Sequence, residues 1–532
     1  MTAPPRPEVA PPPVEPLLLA IDCGTQSVRA LLFDLEGSLV GRAGVPLDGY
    51  RSPEPGWVEH DAEAFWAATA LACQTLWQTH GHLRPALRGV AVTTQRGTVM
   101  PLDAAGRALA PAITWMDQRR AARVPVIHAL WRAAFRLAGV AGTVRYFQRE
   151  AEANWWAEQR PGLWAKLHKL VLVSGLLHWK LTGRFVDSVG AQVGYLPFDF
   201  RRHRWCKAWD WKWQALPLRP DQLPELVPVG GRLGEITAAA AELTGIPAGL
   251  PVIAAAADKA SEALGAGAMA DDVGALSFGT TATVSVCLRR HVEPLPFVPP
   301  YPAAWPGHFA CEVQVYRGFW MVRWFKEQFG DREQGEAART GRSAESLLDE
   351  LVAGVPAGAL GLMLQPYWTP GLRHPGPDAK GAVIGFGDVH TRAHLYRAVL
   401  EGLAYALREG RERIERRSGA RLTSLRACGG GARSDAALQI TADVFGLPVL
   451  RPHTLETSGL GAAIACAVGL GLHADFPAAV RRMTRAAQHF LPQPRQVALY
   501  DALYRDVYQP MYARLAPLYA RIQRITGYPE KV

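Results

Sequence analysis

Leu17-Leu18-Leu19-Ala20-Ile21-Asp22-Cys23-Gly24-Thr25-Gln26-Ser27-Val28-Arg29-Ala30-Leu31-Leu32-Phe33-Asp34 sets two apolar runs on either side of a Gly-centred turn. That is the pattern of a β-hairpin. A tip of Gly and Thr can offer backbone N–H groups and hydroxyls to phosphate with no side chain in the way. The pattern recurs at Gly274-Ala275-Leu276-Ser277-Phe278-Gly279-Thr280-Thr281-Ala282-Thr283-Val284. Two such tips facing each other would hold the phosphates of a nucleotide across a cleft, which points to a phosphotransferase.

Outward from the first hairpin, apolar spacing predicts a helix over Asp61 to Trp77 and a strand over Leu87 to Thr94. It predicts a helix over Trp156 to Leu181, β-like alternation from Asp187 to Trp205, and a buried strand at Leu250 to Ala257 after the turn Gly245 to Gly249. The same order then begins again. A hairpin at 274–290 is followed by a strand near Leu362, a long helix His394 to Arg417, a strand Ser424 to Cys428 and a helix Ser434 to Phe445. This weak internal repeat divides the chain near residue 265, into halves 17–265 and 266–495, with a helical extension over 496–532. Strands alternating with helices imply sheets covered by helices. The proline-rich stretch 1–16 reads as a disordered tail outside the fold.

With 532 residues there is chain enough for two large domains. The net charge of +10 is spread along the chain, so it reads either as solvated surface or as an attraction for anions such as nucleotides. Seven scattered cysteines with no C-x-x-C argue against zinc or a disulfide framework and for a reducing, cytoplasmic setting. The longest apolar stretch, near Leu170 to Leu177, is too short to span a bilayer.

Asp22 ends the first strand directly before the turn. It can help to hold Mg²⁺ through water, or close the hairpin as an Asx-turn. Asp258 ends a run of small apolar residues. It can serve as the base for a sugar hydroxyl, or as the N-cap of a helix beginning near Ala260. Gly429-Gly430-Gly431-Ala432-Arg433-Ser434-Asp435 follows a strand and opens a helix, so a flat ligand could approach closely. No Gly-Lys dipeptide occurs, which excludes a Walker A loop. Phe198 to Trp205 and Trp209 to Trp213 mix basic and aromatic residues, either as a nucleic-acid strip or as arginines over an aromatic patch. Asn154-Trp155-Trp156 reads as a sugar-stacking element or a buried helix.

Together these residues resemble the FGGY carbohydrate kinases, a branch of the actin and hexokinase-like superfamily. Pro55-Gly56-Trp57-Val58-Glu59-His60-Asp61 is similar to the family's G-W-x-E-x-D stretch, and Trp115-Met116-Asp117-Gln118-Arg119 to its W-x-D-x-R. The family signature resembles Gly381 to Phe386 followed by His394 to Glu401. The adenosine motif resembles Gly429 to Asp435 with Gln439, Ala442 and Asp443, then Glu456 and Gly461-Ala462-Ala463. The resemblance implies an α/β protein of two ribonuclease H-like (actin/hexokinase-like) domains with a cleft between them. It implies Asp258 as catalytic base and Asp22 as a Mg²⁺-site carboxylate. ATP phosphates would lie on Gly24, Thr25, Gln26, Gly279, Thr280 and Thr281, and the adenosine near Gly429, Gly430, Gly431, Ala432 and Ser434.

The resemblance further implies ATP and Mg²⁺ as cofactors and a small sugar or polyol as partner, with no nucleic acid and no membrane. A homodimer is one assembly consistent with it. The acceptor is expected to be a ketose of pentulose type or a polyol. A glycerol-like or quorum-signal kinase, and a non-catalytic nucleotide-dependent sugar sensor, are the rival readings. Where glycerol kinases carry Q-R-E-T this chain has Gln95-Arg96-Gly97-Thr98, and the M-H-G of xylulokinases is absent. Lys259 follows the proposed base where the family usually has Gly, Gln or Asn nearby. Gln95, Arg96, Tyr146, Asp258 and Lys259 are the expected acceptor residues. If Arg96 and Lys259 both face the pocket, a ketose carbonyl or a sugar acid is favoured over glycerol. The alternative is that Lys259 turns away to a carboxylate such as Glu262.

Overall fold

The computed structural model describes residues 15–295, 298–369 and 375–528; the proline-rich tail, apart from Glu15 and Pro16, lies outside them. The first half contains strands β1 (Leu17–Cys23), β2 (Ser27–Phe33) and β3 (Leu39–Pro46), helix α1 (Ala62–His80), strands β4 (Leu87–Thr94), β5 (Val99–Leu102) and β6 (Lys169–Leu172), helix α2 (Val173–Thr182), strands β7 (Arg232–Glu235) and β8 (Pro251–Ala254), and helix α3 (Asp258–Gly265). Its main sheet runs β7-β8-β4-β1-β2-β3. The hairpin strands are antiparallel, β1 lies parallel to β4, and β4 parallel to β8.

The second half contains β9 (Val273–Phe278), β10 (Ala282–Leu288), β11 (Tyr301–Pro302), β12 (Phe309–Val315), helices α4 (Trp320–Phe329) and α5 (Arg392–Ser418), strand β13 (Ser424–Cys428), helix α6 (Asp435–Phe445), strand β14 (Val449–Pro452), helix α7 (Thr457–Gly469), strand β15 (Ala486–Phe490), and helices α8 (Pro494–Leu503) and α9 (Gln509–Thr526). Its sheet runs β11-β12-β10-β9-β13-β14-β15. Here too the hairpin strands are antiparallel, and the first pairs in parallel with β13, which pairs in parallel with β14. The repeat seen in the sequence is a repeat of sheet topology.

The chemistry of β1 explains its place. Leu17, Leu19, Ile21 and Cys23 pack into the core under α1 and α2, while Leu18 and Ala20 pack toward α7. Burial on both faces is why the strand reads as one apolar run. The period of two puts Asp22 on the face of Leu18 and Ala20. Helix α7 belongs to the second half in sequence but lies on the back of the first sheet. Leu460 and Ile464 are fully buried there, each contributing about 1.5–3 kcal/mol. It crosses α3 with the backbones in contact: a Cβ on Gly461 would stand 1.9 Å from the Ser261 carbonyl oxygen, and one on Gly265 2.0 Å from that of Thr457. The extension is packed on the second half's core through Tyr500, Tyr504 and Tyr508, which meet Tyr405 of α5.

Two expectations are corrected. Trp156 to Leu181 is not one helix. Helices Glu152–Gln159 and Pro161–Trp164 are separated from α2 by β6. Arg160 leaves helical geometry ahead of Pro161, as residues before proline tend to, and β6 pairs with β5. Asp187 to Trp205 is mostly loop, with short strands at Val186–Ser188, Phe198–Asp199 and Arg204–Trp205. Buried Asp187 organises it, accepting hydrogen bonds from Ser174 Oγ, Gln192 Nε2 and the Ser188 amide.

Candidate active site

At both hairpin tips the carbonyls are tied back into the protein. Gly24 O accepts from Gln95 Nε2 at 3.2 Å and Thr25 O from the Tyr50 hydroxyl at 2.6 Å. In the second tip, Gly279 O and Thr280 O accept from the amides of Phe319 and Trp320 at the start of α4, at 3.0 and 3.3 Å. In a planar trans peptide the N–H points opposite to the C=O. The amides of Thr25, Gln26, Thr280 and Thr281 are therefore directed away from these anchors, whereas the Gly24 amide closes its own turn onto Ser27 O at 3.0 Å. Gln95 is thus a buried orienter of the first tip, with Oε1 accepting from Thr98 Oγ1 at 3.1 Å. The side chain folds back under the turn.

Asp22 is buried and accepts from Arg29 Nη2 at 2.6 Å. Arg29 Nη1 and Arg42 Nε reach Glu456, immediately before α7, at 2.6 and 2.7 Å. Loss of solvent lifts the Asp22 carboxyl to about 6 against the opposing pull of Arg29. Asp22 is not an Asx-turn residue; it ends a strand inside a charge network that links the two halves.

Asp258 is the first residue of α3, and Ala257 occupies the N-cap position. The carboxylate is part-exposed, with Oδ1 accepting from the Lys259 amide at 2.7 Å. Burial raises its pKa, opposed by Lys259 and Arg96. Arg96 Nε lies 3.9 Å from Asp258 Oδ1. The same guanidinium grips Glu312 of β12 as a fork, Nη2 to Oε1 at 2.9 Å and Nη1 to Oε2 at 3.3 Å, above the Tyr301 ring at 5.2 Å. Tyr316 lies in the same field: burial first, then Glu312 and Glu150, raise its hydroxyl pKa, opposed by Arg96. Tyr146 shares a hydrogen bond with Tyr195 and stands under Arg120 at 5.5 Å.

Lys259 does turn away. Its Nζ contacts Glu262 Oε2 at 3.1 Å and Ser277 Oγ on β9. Of the two arrangements open from the sequence, the structure has the second: Lys259 pairs with Glu262, and Arg96 is matched by Glu312.

The Gly429 loop lies against the second hairpin. A Cβ on Gly429, whose φ is +78°, would stand 3.1 Å from the Phe278 carbonyl carbon, and one on Gly431 2.3 Å from the Phe319 ring. At Gly430 a Cβ would meet nothing within 4 Å, so that face is open. Ala432 is buried, with its carbonyl held by Arg451 Nε at 2.7 Å. Ser434 caps α6, accepting from the Ala437 amide at 3.0 Å while donating to Asp349 at 2.6 Å. The hydroxyl keeps a second acceptor lone pair while its donor ties the start of α6 to Asp349.

Glu312, Tyr301 and Tyr316 were missed in the sequence. The available signal was a glutamate between Cys311 and Val313 in an apolar strand, since a buried charge requires a partner. The G-W-x-E-x-D and W-x-D-x-R stretches interlock: Arg119 pairs with Glu59 at 2.8 Å and Asp117 at 2.7 Å, and stacks 4.0 Å from the Trp57 ring. Trp155 and Trp156 are buried in a helix, and Trp205 donates to Pro224 O, while Trp209 is exposed.

Two hairpins of equivalent topology, an adenosine-type glycine loop against one of them and an aspartate opening a helix between them define a two-domain sugar kinase. The N-terminal domain of the FGGY family of carbohydrate kinases matches residues 17–265, and the C-terminal domain of that family matches 274–470. The chain belongs to the FGGY family of carbohydrate kinases, enzymes that take ATP as phosphate donor. It is 29% identical over 505 residues to the uncharacterized sugar kinase YgcE of Escherichia coli (strain K12), with 93% of each chain covered. It is 31% identical over 521 residues to autoinducer-2 kinase of Enterobacter sp. (strain 638), covering 93% of this chain and 94% of that one. The solved structure of xylulose kinase from Rhodospirillum rubrum matches with a TM-score of 0.79 at 29% identity, covering 95% of this chain and 100% of that chain.

Proposed function

We propose that this kinase phosphorylates a hydroxyl of a small neutral ketose or polyol, with Asp258 as the base. The observation that carries the reading is the charge pairing beside Asp258. Arg96 is neutralised by Glu312 and Lys259 by Glu262, so neither cation beside Asp258 is left uncompensated to hold a carboxylate. A sugar acid, favoured only if both cations face the pocket, is not favoured once each is paired. Xylulose kinase among the similar structures and autoinducer-2 kinase among the relatives support a small oxygen-rich acceptor. Gly97, at φ +66°, supplies no carboxylate for a glycerol-type grip.

Asp258 accepts the proton of the attacking hydroxyl as that oxygen bonds to the γ-phosphorus, and the bond to the departing ADP oxygen breaks in line. Its raised pKa suits a proton acceptor. Arg96 Nε, beside the carboxylate, orients the acceptor oxygen, and Tyr146 lines the far side. The amides of Thr25, Gln26, Thr280 and Thr281 hold phosphate oxygens, and Gly430 presents the open surface for adenine. Catalysis of this kind is mostly positioning and charge neutralisation.

Among the described residues no group of three or more His, Cys, Asp or Glu is arranged to hold a metal. Asp22 offers one oxygen beyond the one held by Arg29, which fits Mg²⁺ bound chiefly through phosphate and water. Bound there, Mg²⁺ would neutralise charge on the phosphates.

The test is acceptor-dependent ADP release across pentuloses, polyols, glycerol and sugar acids at saturating Mg-ATP. A neutral ketose or polyol is expected to give the highest kcat/KM. A sugar acid in first place would overturn the charge-pairing argument.

A further inference from the structure

Lys259 lies on the helix that opens with the proposed base, yet its ammonium is delivered to the second phosphate hairpin. It contacts Ser277, two residues before the Gly279-Thr280 tip, and a Cβ built on Gly279 would lie 3.5 Å from Nζ. Glu262, one turn further along α3, holds the ammonium at 3.1 Å. An ammonium carries three donors. Glu262 and Ser277 are its recorded acceptors among the described residues, so one N–H remains for a third oxygen.

The electrostatics require a cation at this point. Asp258 and Glu262 lie on the helix that carries Lys259, and Asp22 lies near the end of the first hairpin strand. A triphosphate approaching three carboxylates meets strong repulsion at low dielectric. Arg29 is tied to Asp22 and Glu456, and Arg96 to Glu312. The chain also lacks the Gly-Lys pair that gives P-loop enzymes their phosphate lysine. Burial alone would lower the Lys259 pKa, but Glu262 and Asp258 outweigh it and keep the ammonium charged.

We propose that Lys259 is a catalytic residue that meets the terminal phosphoryl group of ATP at the second hairpin, with Glu262 and Ser277 holding its ammonium in place. The inference rests on the proposed phosphoryl transfer. The acceptor oxygen forms its bond to the γ-phosphorus and gives its proton to Asp258. The bond from that phosphorus to the β,γ-bridging oxygen breaks, and the electron pair leaves on ADP. Lys259 exchanges no proton; it stabilises the charge on the equatorial oxygens of the group in transit.

Binding of ADP and of the non-hydrolysable β,γ-imido analogue of ATP, measured by calorimetry with Mg²⁺, tests this without any acceptor. Lys259→Gln is expected to weaken the analogue about tenfold while leaving ADP within about twofold, and to lower turnover about 10²–10³-fold, the usual range for one lost transition-state donor. Lys259→Arg is expected to regain much of the analogue's affinity. Equal weakening of both nucleotides, or no change in either, would overturn the proposal and leave Lys259 as a strut between the halves. Because the readout is nucleotide binding, it stands apart from the acceptor assignment. Loss of analogue discrimination in Asp258→Asn as well would also count against a role specific to Lys259.

Discussion

Arg96 and Glu312, 216 residues apart in sequence, meet as a two-pronged ion pair across the cleft, at 2.9 and 3.3 Å, with Arg96 Nε 3.9 Å from Asp258. The pair joins the loop after β4 to a strand of the second sheet. It places a neutral cation–anion unit, not a bare cation, beside the proposed base.

Glu312→Gln should release the Arg96 charge toward Asp258 and the acceptor. The ratio of kcat/KM for a sugar acid to that for the best neutral acceptor is expected to rise at least about tenfold, the equivalent of about 1.4 kcal/mol. An unchanged ratio in a folded variant would mean that Arg96 does not face the acceptor.

The proposed place of Asp22 beside Mg²⁺ predicts that nucleotide binding depends on pH. Its carboxyl titrates near 6, lifted by burial. Mg-ATP affinity is expected to fall as pH drops through about 6, because the protonated acid no longer supports the ion. Stability moves the other way. With the folded-state value above the unfolded one, Asp22's contribution is full below the ordinary value of 3.8 and is lost as pH rises through about 6. Asp22→Asn, which cannot ionise, should gain in stability relative to the parent between pH 4.5 and 7.5. Parallel Tm curves for the two proteins across that range would contradict this.

The crossing of α3 and α7 leaves no room for a methyl group. Gly461→Ala places a Cβ 1.9 Å from the Ser261 carbonyl oxygen, so the helices must separate. Overpacking of this kind costs about 1–3 kcal/mol. Urea unfolding should show a lower midpoint, and Gly471→Ala can serve as a control because a Cβ there meets nothing within 4 Å, although its own φ of +70° carries strain. No shift for Gly461→Ala would refute the close crossing.

Much of this site was legible in short stretches of sequence. The Leu17 to Asp34 hairpin, its repeat at 274 and Asp22 near the end of its strand are local patterns, set by period and turn chemistry. Arg96–Glu312 and Lys259–Ser277 were not legible as contacts, because they join residues far apart in the chain. The Lys259–Glu262 pair was anticipated as an alternative because three-residue spacing on a helix brings side chains together. The strand Lys169–Leu172 was lost within a supposed helix, since four apolar-rich residues carry too little periodicity to tell the two apart. The bonds that Gln95 makes to Gly24 and Thr98, and Ser434 to Asp349, were also not legible, because they depend on how the turn and the helix start fold.

The central claim is that Asp258 takes the proton from a neutral sugar or polyol during phosphoryl transfer. Acceptor-dependent ADP release, measured side by side for the parent enzyme and Asp258→Asn with the best neutral acceptor, tests it most directly. The account predicts a loss of turnover of about 10²–10⁴-fold with nucleotide affinity close to normal. Parental turnover in Asp258→Asn would contradict it and leave Asp258 as the first residue of a helix and nothing more.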